Sequence, residues 1–543
     1  MPKYNCITIG PIIESLVNAR KTKEIWEASF VFSWIMWKIV EKINKDRKDS
    51  NIVIPYRKDL KELKSVGLYP DHLVYKCERA EDDLNIGVIV EEVKRELKDA
   101  LIATLEGEDV NSFVENYFQL QYFTVDLDEE ELKKEGKNFL QKIDEVFYSL
   151  ELQGSLQEET RALSSFSFSP VRETYKPDPF GQEINKSQED FYCRSLVEIA
   201  NCRFLKKNPE LRNEDDEILL ETIKNYAEKE FKSYHKYVAV VQCDGDKMGR
   251  FNQDYIKQNP DKQAEEAIRM VSDCLFQWGE EASRKISDFG GLPVYAGGDD
   301  LLFFAPVVGI EEEGNKEGKN IVSLLKDISC LFREKMGTLA EGNPRVHLPA
   351  LSFGVTIFYY KYPLGEAQQK SLQLMYKMKK QHQGNGMNIA LLKHSGSGFS
   401  VVLHFDAQKR NERYCWESVF EELMKLDEEQ FSEEVYSSLA YALQRDRRIF
   451  DLIGDNEKRI RQYFLRNVEG FPRKEQITAN GKFCQKEGAD EEINFLLEAE
   501  KLVNLAFMRE DDAGGSKKEI DRMRPVFDML RMVKFLKGAD KME

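Results

Sequence analysis

The stretch YAGGDDLLFF, residues 295–304, places two glycines and two aspartates between two hydrophobic runs. LPVYA (292–296) and LLFFA (301–305) read as the arms of a β-hairpin with GGDD at its tip. Gly and Asp are ordinary turn residues, so the tip can be a plain turn. Adjacent carboxylates on a hairpin tip also suit a metal site that handles a nucleoside triphosphate. Fifty-five residues earlier the run KYVAVVQC (236–243) reads as a strand that ends at Asp244, in CDGDKMG (243–249). In an antiparallel sheet the end of that strand lies beside the hairpin tip. Asp244, Asp299 and Asp300 are then candidate catalytic residues and ligands of two Mg²⁺ or Mn²⁺ ions. Gly245, Gly297 and Gly298 are candidate nucleotide-binding positions, because a backbone without Cβ admits a phosphate or a base. Asp246 is expected to cap the helix that starts after Lys247 rather than to act as a ligand.

Outward from this hairpin the order is strand, helix (about 262–288), hairpin, strand (ALSFGVTIFYY, 350–360), helix (GEAQQKSLQLMYKMKKQH, 365–382) and strand (MNIALLKH, 387–394). The first part of the chain repeats a similar order. YNCITIG is a strand. Residues 18–45 form a helix with Ile25, Ala28, Phe32, Ile35, Ile39 and Ile43 at three-to-four spacing. NIVIPY (51–56) is a short strand, VGLYPDHLVYKCE (66–78) reads as strand, turn, strand, and a second helix spans about 88–105. The expected fold class is α+β. Two ferredoxin-like lobes occupy 1–150 and 236–404, a linker and helical part lies at 151–235, and a helical bundle at 405–543. The linker stretch SSFSFSPVRETYKPDPFGQE (164–183) is rich in turn residues. In the bundle Leu423, Phe431, Val435, Leu439, Leu443 and Phe450 mark apolar faces amid dense charge.

Composition bounds the function. The 543 residues exceed one hydrophobic core and predict about three or four domains. With 79 Lys and Arg against 96 Asp and Glu, the net charge is −17. That excludes gripping bare nucleic acid over the whole surface, since such binding rests on cations neutralising phosphates. The nine cysteines form no CxxC pair, so no zinc is expected on that spacing, and a reducing cytoplasm fits them. The N-terminus has no signal-peptide pattern, and FVFSWIMW falls short of the roughly 20 apolar residues that span a bilayer.

CDGDKMG (243–249), YAGGDDLLFF (295–304), LSFGVTIFYYKYPL (351–364), LLKHSGSGF (391–399) and IGPIIESLVNARKTKEIWEASFVFSW (9–34) together resemble the large subunit of type III CRISPR effector complexes. The III-B, Cmr-type branch is the nearest match. The resemblance implies two palm, or nucleotidyl-cyclase-like, lobes. It implies that target RNA switches the GGDD lobe on to join ATP into cyclic oligoadenylate. It also implies guide-RNA ribonucleoprotein partners, among them a small helical subunit on 405–543, with crRNA and target RNA held in the complex and no membrane. By the same resemblance Asp244, Asp299 and Asp300 hold the metals, and Lys379 meets the triphosphate. Lys379 also reads as a solvated lysine in KMKKQ. Many members carry an HD nuclease domain; this chain has no His-Asp dipeptide, so no DNase activity is expected.

The first lobe carries LYPDHLVY (68–75) where the second has GGDD. This tip is expected to face the nucleotide site across the lobe interface. Asp71 there repels a triphosphate and suits a cation, which points to S-adenosylmethionine as an alternative acceptor used by some members of the family. Asp71 also reads as a plain Pro-Asp turn. Arg20 and Lys21, with Lys23, are candidate anion contacts of this lobe or simply an exposed basic helix start. A free-standing GGDEF-like cyclase and a silent scaffold remain as other readings. The duplicated lobe and the GGDD signature weigh against the first, and the three intact carboxylates against the second.

Overall fold

The computed structural model describes residues 3–45, 51–58, 66–77, 82–103, 109–127, 139–152, 163, 166–168, 193–213, 215–259, 264–310, 319–393, 398–405, 416–425, 433–468, 490–508 and 523–538. The first lobe runs β1 (Lys3–Gly10), α1 (Ile12–Asn18), α2 (Thr22–Lys45), β2 (Ile52–Ile54), β3 (His72–Cys77), α3 (Asp82–Ala100), β4 (Leu101–Ala103), α4 (Val110–Tyr117), β5 (Gln119–Asp126), α5 (Phe139–Leu152) and β6 (Phe166–Phe168). Its main sheet has the order β2-β3-β1-β5, and each of these pairs is antiparallel. This is the ferredoxin-like arrangement. β4 and β6 form a separate two-stranded ribbon.

Three helices follow, α6 (Leu196–Ala200), α7 (Cys202–Lys207) and α8 (Asp216–Tyr226). The second lobe then runs β7 (Tyr237–Asp246), α9 (Met248–Gln258), α10 (Ala264–Phe289), β8 (Leu292–Gly297), β9 (Asp300–Pro306), α11 (Ile321–Leu339), β10 (Ala350–Tyr359), α12 (Leu364–Gln381), β11 (Gly386–Leu392) and β12 (Gly398–His404). Its sheet order is β12-β11-β10-β7-β9-β8. The core β10-β7-β9-β8 is antiparallel and repeats the connectivity of the first lobe. β11 is added parallel to β10 through α12, and β12 closes the edge antiparallel. The C-terminal part is helical: α13 (Trp416–Lys425), α14 (Glu433–Arg445), α15 (Arg447–Ile453), α16 (Glu457–Asn467), α17 (Asp490–Met508) and α18 (Arg524–Leu536). Leu423, Leu439, Leu443 and Phe450 are buried there, while Phe431 lies outside the described residues.

Helix α2 explains the apolar run FVFSWIMW. A helix that is hydrophobic all round is a buried helix. Trp26, Phe30 and Ile35 of α2 are fully buried, and the helix packs on the first lobe and on β8 of the second. Burying each such side chain contributes roughly 1.5–3 kcal/mol. Small residues let the lobes approach: Ser29 Oγ donates to the Val294 carbonyl at 2.9 Å, and a Cβ on Gly67 would stand 2.8 Å from Ser29 Oγ.

Two sequence expectations are corrected here. Residues 66–78 do not form strand, turn, strand. Only His72–Cys77 is a strand, and its hairpin mate is β2. Residues 66–70 instead serve the lobe interface, where Gly67 bridges to Tyr295 and accepts from the Ala296 N–H at 2.7 Å. The helix expected at 88–105 ends at Ala100, and β4 follows.

His235 sits buried against Phe204, Phe231 and Tyr234, and its Nδ1 accepts from the Lys232 N–H at 2.8 Å. Burial, with Arg203 and Lys232 nearby, lowers its pKa to about 3. The native state therefore refuses a proton that the unfolded chain accepts below about pH 6.5. Stability from this residue is present above that pH and falls by about 1.4 kcal/mol per pH unit as pH drops toward 3. Unfolding titrations of wild type and His235→Asn should diverge in slope below pH 6.5; parallel curves would exclude this linkage.

Candidate active site

Alternating pairing across β7 and β9 sets the carboxylates side by side. Cys243 pairs with Leu301, so the same antiparallel register carried one residue further sets Asp244 opposite Asp300 at the β8–β9 tip. The tip is a two-residue turn closed by the Gly297–Asp300 pair. Gly298 has φ +64°, a left-handed conformation that favours glycine, and a Cβ there would meet nothing within 4 Å. Gly245 is needed for close approach: a Cβ on it would stand 2.4 Å from Asp299 Oδ2.

Lys379, in the last turn of α12, forms an ion pair with Asp244 and donates to the Gly245 carbonyl at 2.8 Å. Its cation thus sits at the end of β7, in the field of all three aspartates. Burial raises the pKa of Asp299, and the neighbouring Asp244 raises it further. Asp300 is raised well above the usual carboxylate range by burial, then by Asp299, Asp244 and Asp71; Lys379 opposes the shift. Asp300 is itself exposed to solvent, while protein atoms crowd it along the cavity that it lines. Crowded, partly desolvated carboxylates of this kind mark functional sites. Their hard oxygens, with the Gly245 carbonyl, are the donor chemistry of Mg²⁺ or Mn²⁺. Among the described residues no three His, Cys, Asp or Glu side chains close into a ready-made metal cage.

A cavity of about 400 Å³ opens beside the tip, between the lobes. The second lobe lines it with Gly297, Gly298, Asp299, Asp300 and Tyr295, and the first with Asp71, His72, Asp144 and Phe147. Asp71 reaches this cavity because the Asp71 carbonyl accepts from the Ile9 N–H at 3.1 Å, which anchors the start of β3 to the end of β1. His72 stacks on Phe147 with ring centroids 4.0 Å apart. The Tyr295 hydroxyl is pushed well above its usual pKa by burial, then by Asp71, Asp300 and Asp299.

The structure brings Asp244, Asp299, Asp300, Gly245, Gly297, Gly298, Lys379 and Asp71 to one region. Arg20 and Lys21 are exposed before α2, where their N–H groups donate to Glu24, and neither lines the cavity. Asp246 is corrected: Lys247 occupies the N-cap position of α9, and no side chain caps it. Asp246 is buried and bonds elsewhere, because Ser352 and the Asn385 backbone offer donors in its place. Asp144, Phe147 and His72 escaped sequence reading; α5 carries no motif, and only its helical periodicity could have suggested a wall.

The topology and the acidic tip define a two-lobed palm protein. Both lobes carry segments that match families of CRISPR-associated Cas10/Cmr2 proteins. Residues 237–388 match the family described as Cas10/Cmr2, second palm domain, and residues 4–118 match the CRISPR-associated protein Cmr2, N-terminal family. A CRISPR system Cmr subunit Cmr2 from Pyrococcus furiosus (strain ATCC 43587 / DSM 3638 / JCM 8422 / Vc1) is 27% identical over 236 residues, 40% of this chain and 25% of that protein. The match thus spans a quarter of the relative's length. Among solved structures, a type III-B Cmr-beta complex in its apo state shares the fold with TM-score 0.56 and 10% identity, over 99% of this chain and 82% of that one. The Cmr-beta complex bound to cognate target RNA gives 0.52 and 12%, over 99% and 83%. Among the described residues no helix is long and apolar enough to cross a membrane.

Proposed function

We propose that this chain is the nucleotidyltransferase subunit of a cytoplasmic type III CRISPR complex, switched on by target RNA to make cyclic oligoadenylate from ATP. The observation that carries the reading is the convergence of Asp244, Asp299, Asp300 and Lys379 beside an interlobe cavity. Lys379 holds the donor ATP by its triphosphate. The open backbone at Gly298 gives that nucleotide room at the tip. Asp244, Asp299 and Asp300 would hold Mg²⁺ or Mn²⁺, which when bound would supply activation of the attacking hydroxyl and neutralisation of the departing pyrophosphate. The cavity positions the acceptor so that its hydroxyl meets the α-phosphorus in line, and its apolar walls exclude water. Guide pairing rather than this chain reads the target sequence. Its partners on this reading are guide-RNA subunits, including a small helical subunit on the C-terminal helices; the likeness to a Cmr-beta complex bound to cognate target RNA supports assembly in a complex of that kind.

A second reading concerns the acceptor. Among the described residues the cavity is lined by four carboxylates, Asp71, Asp144, Asp299 and Asp300, and by no Lys or Arg. A second triphosphate meets like charge there, whereas the sulfonium and ammonium of S-adenosylmethionine are attracted. On this reading the product is an adenylylated S-adenosylmethionine. The assembled complex with target RNA, Mg²⁺ and ATP, with and without S-adenosylmethionine, separates the two by mass spectrometry. Oligoadenylates alone in both tubes support the first, and a new adduct only with S-adenosylmethionine supports the second. Under the second, Asp71→Asn should abolish the adduct while ATP binding persists. Unchanged adduct formation would remove Asp71 from the acceptor site.

A further inference from the structure

Asp246 lies two residues beyond Asp244, is only 9% exposed, and does not cap the helix that follows. Its carboxylate accepts from Ser352 Oγ at 2.9 and 2.8 Å, at the start of β10. It also accepts from the Asn385 N–H at 2.7 Å. Asn385 ends an unusual turn. Gln383, Gly384 and Asn385 have φ of 63°, 73° and 55°, three left-handed residues in a row. Residues with a Cβ avoid that conformation unless the surroundings hold them in it. Asp246 is the anchor. It packs so closely under the turn that a Cβ on Gly384 would stand 2.5 Å from Asp246 Oδ2.

The turn is the exit of α12. The Gly384 N–H donates to the Met378 carbonyl at 2.9 Å, and Lys379 is the next residue. Lys379 in turn bonds Asp244 and the Gly245 carbonyl. The contacts close a ring from the end of β7 through the turn to the last turn of α12 and back to β7. Arg333 Nη2 donates to Asn385 Oδ1 at 3.2 Å, and the Phe405 N–H donates to the Asn385 carbonyl at 3.0 Å, so the turn is also tied to α11 and to the chain after β12.

We infer that Asp246 is a positioning residue: it locks the left-handed turn 383–385 and so aims the Lys379 ammonium at the nucleotide phosphates. The inference rests on the reading of Lys379 as a triphosphate contact. A residue that acts through another is non-additive with it. The test is calorimetric binding of α,β-methylene-ATP with Mg²⁺ to the full chain, for wild type, Lys379→Ala, Asp246→Asn and the double variant. Asp246→Asn removes the anchor's charge and leaves one oxygen to accept where the carboxylate has two. Each single variant should weaken binding about tenfold, the scale of one charge-assisted contact, and the double no further than Lys379→Ala alone. Additive losses would overturn the inference, as would a lowered melting temperature with wild-type affinity in Asp246→Asn. Ser352→Ala removes one donor and keeps the rest. It should weaken binding about threefold in a folded chain, and unchanged affinity there overturns the inference even if Asp246→Asn fails to fold. Undiminished binding in Lys379→Ala, or none in wild type, would instead sink the nucleotide reading on which it rests.

Discussion

Asp299→Ala/Asp300→Ala is expected to cut messenger synthesis by roughly a thousandfold or more, the scale on which transition-state charge stabilisation is lost. The same variant should melt no lower than wild type. Asp300 reaches solvent, so its truncation leaves no hole in the core. The two carboxylates also repel each other and Asp244, and burial lifts both above their usual range. Removing them relieves that repulsion, a pattern common where a site is built for function at the expense of stability. Product assays and calorimetric melting of the same preparation check both halves. A large fall in melting temperature would mean that the tip is structural. Full activity would mean that the chemistry lies elsewhere.

Gly354→Ala is expected to have the largest effect on stability. Gly354 lies in the middle of β10, directly under α12. A Cβ there would stand 1.9 Å from the Ser371 carbonyl oxygen and 2.4 Å from the Met375 nitrogen, both backbone atoms that no rotamer change can move. The helix must lift off the sheet. Overpacking of this kind costs about 3 kcal/mol or more, and melting of the lobe should fall by roughly 6–12 °C. Because α12 carries Lys379, nucleotide binding should weaken with it. Gly337→Ala is the contrast. It lies inside α11 with only Leu348 Cδ1 near, at 3.9 Å, and should be neutral or stabilise by up to about 1 kcal/mol. Differential scanning calorimetry of both variants decides; equal melting temperatures would contradict the packing account.

The second lobe was legible because its signals are local. β7 and the hairpin arms are short apolar runs ended by Asp and Gly, and antiparallel register alone puts Asp244 beside the tip. α2 was legible from its spacing, although the sequence alone could not say that its apolar back faces a second lobe. The features that escaped are long-range. The isolated Gly67–Tyr295 bridge joins residues 228 positions apart, and no periodicity announces such a contact. Asp246 was misread because a polar residue before a helix resembles a cap, and only the fold reveals that Ser352 and Asn385 claim it. The left-handed turn did leave a trace in QGNG (383–386), where glycines flank an asparagine. Strand β12 was overlooked behind the turn-rich HSGSG (394–398).

The central claim is that these carboxylates transfer an adenylyl group from ATP under RNA control. Pyrophosphate release from ATP by the assembled complex with Mg²⁺, followed before and after addition of target RNA, tests it most directly. Release that starts only on addition of RNA and is absent from Asp299→Ala/Asp300→Ala is the predicted result. ATP that binds but yields no pyrophosphate with target RNA present would contradict it and leave the chain as a scaffold.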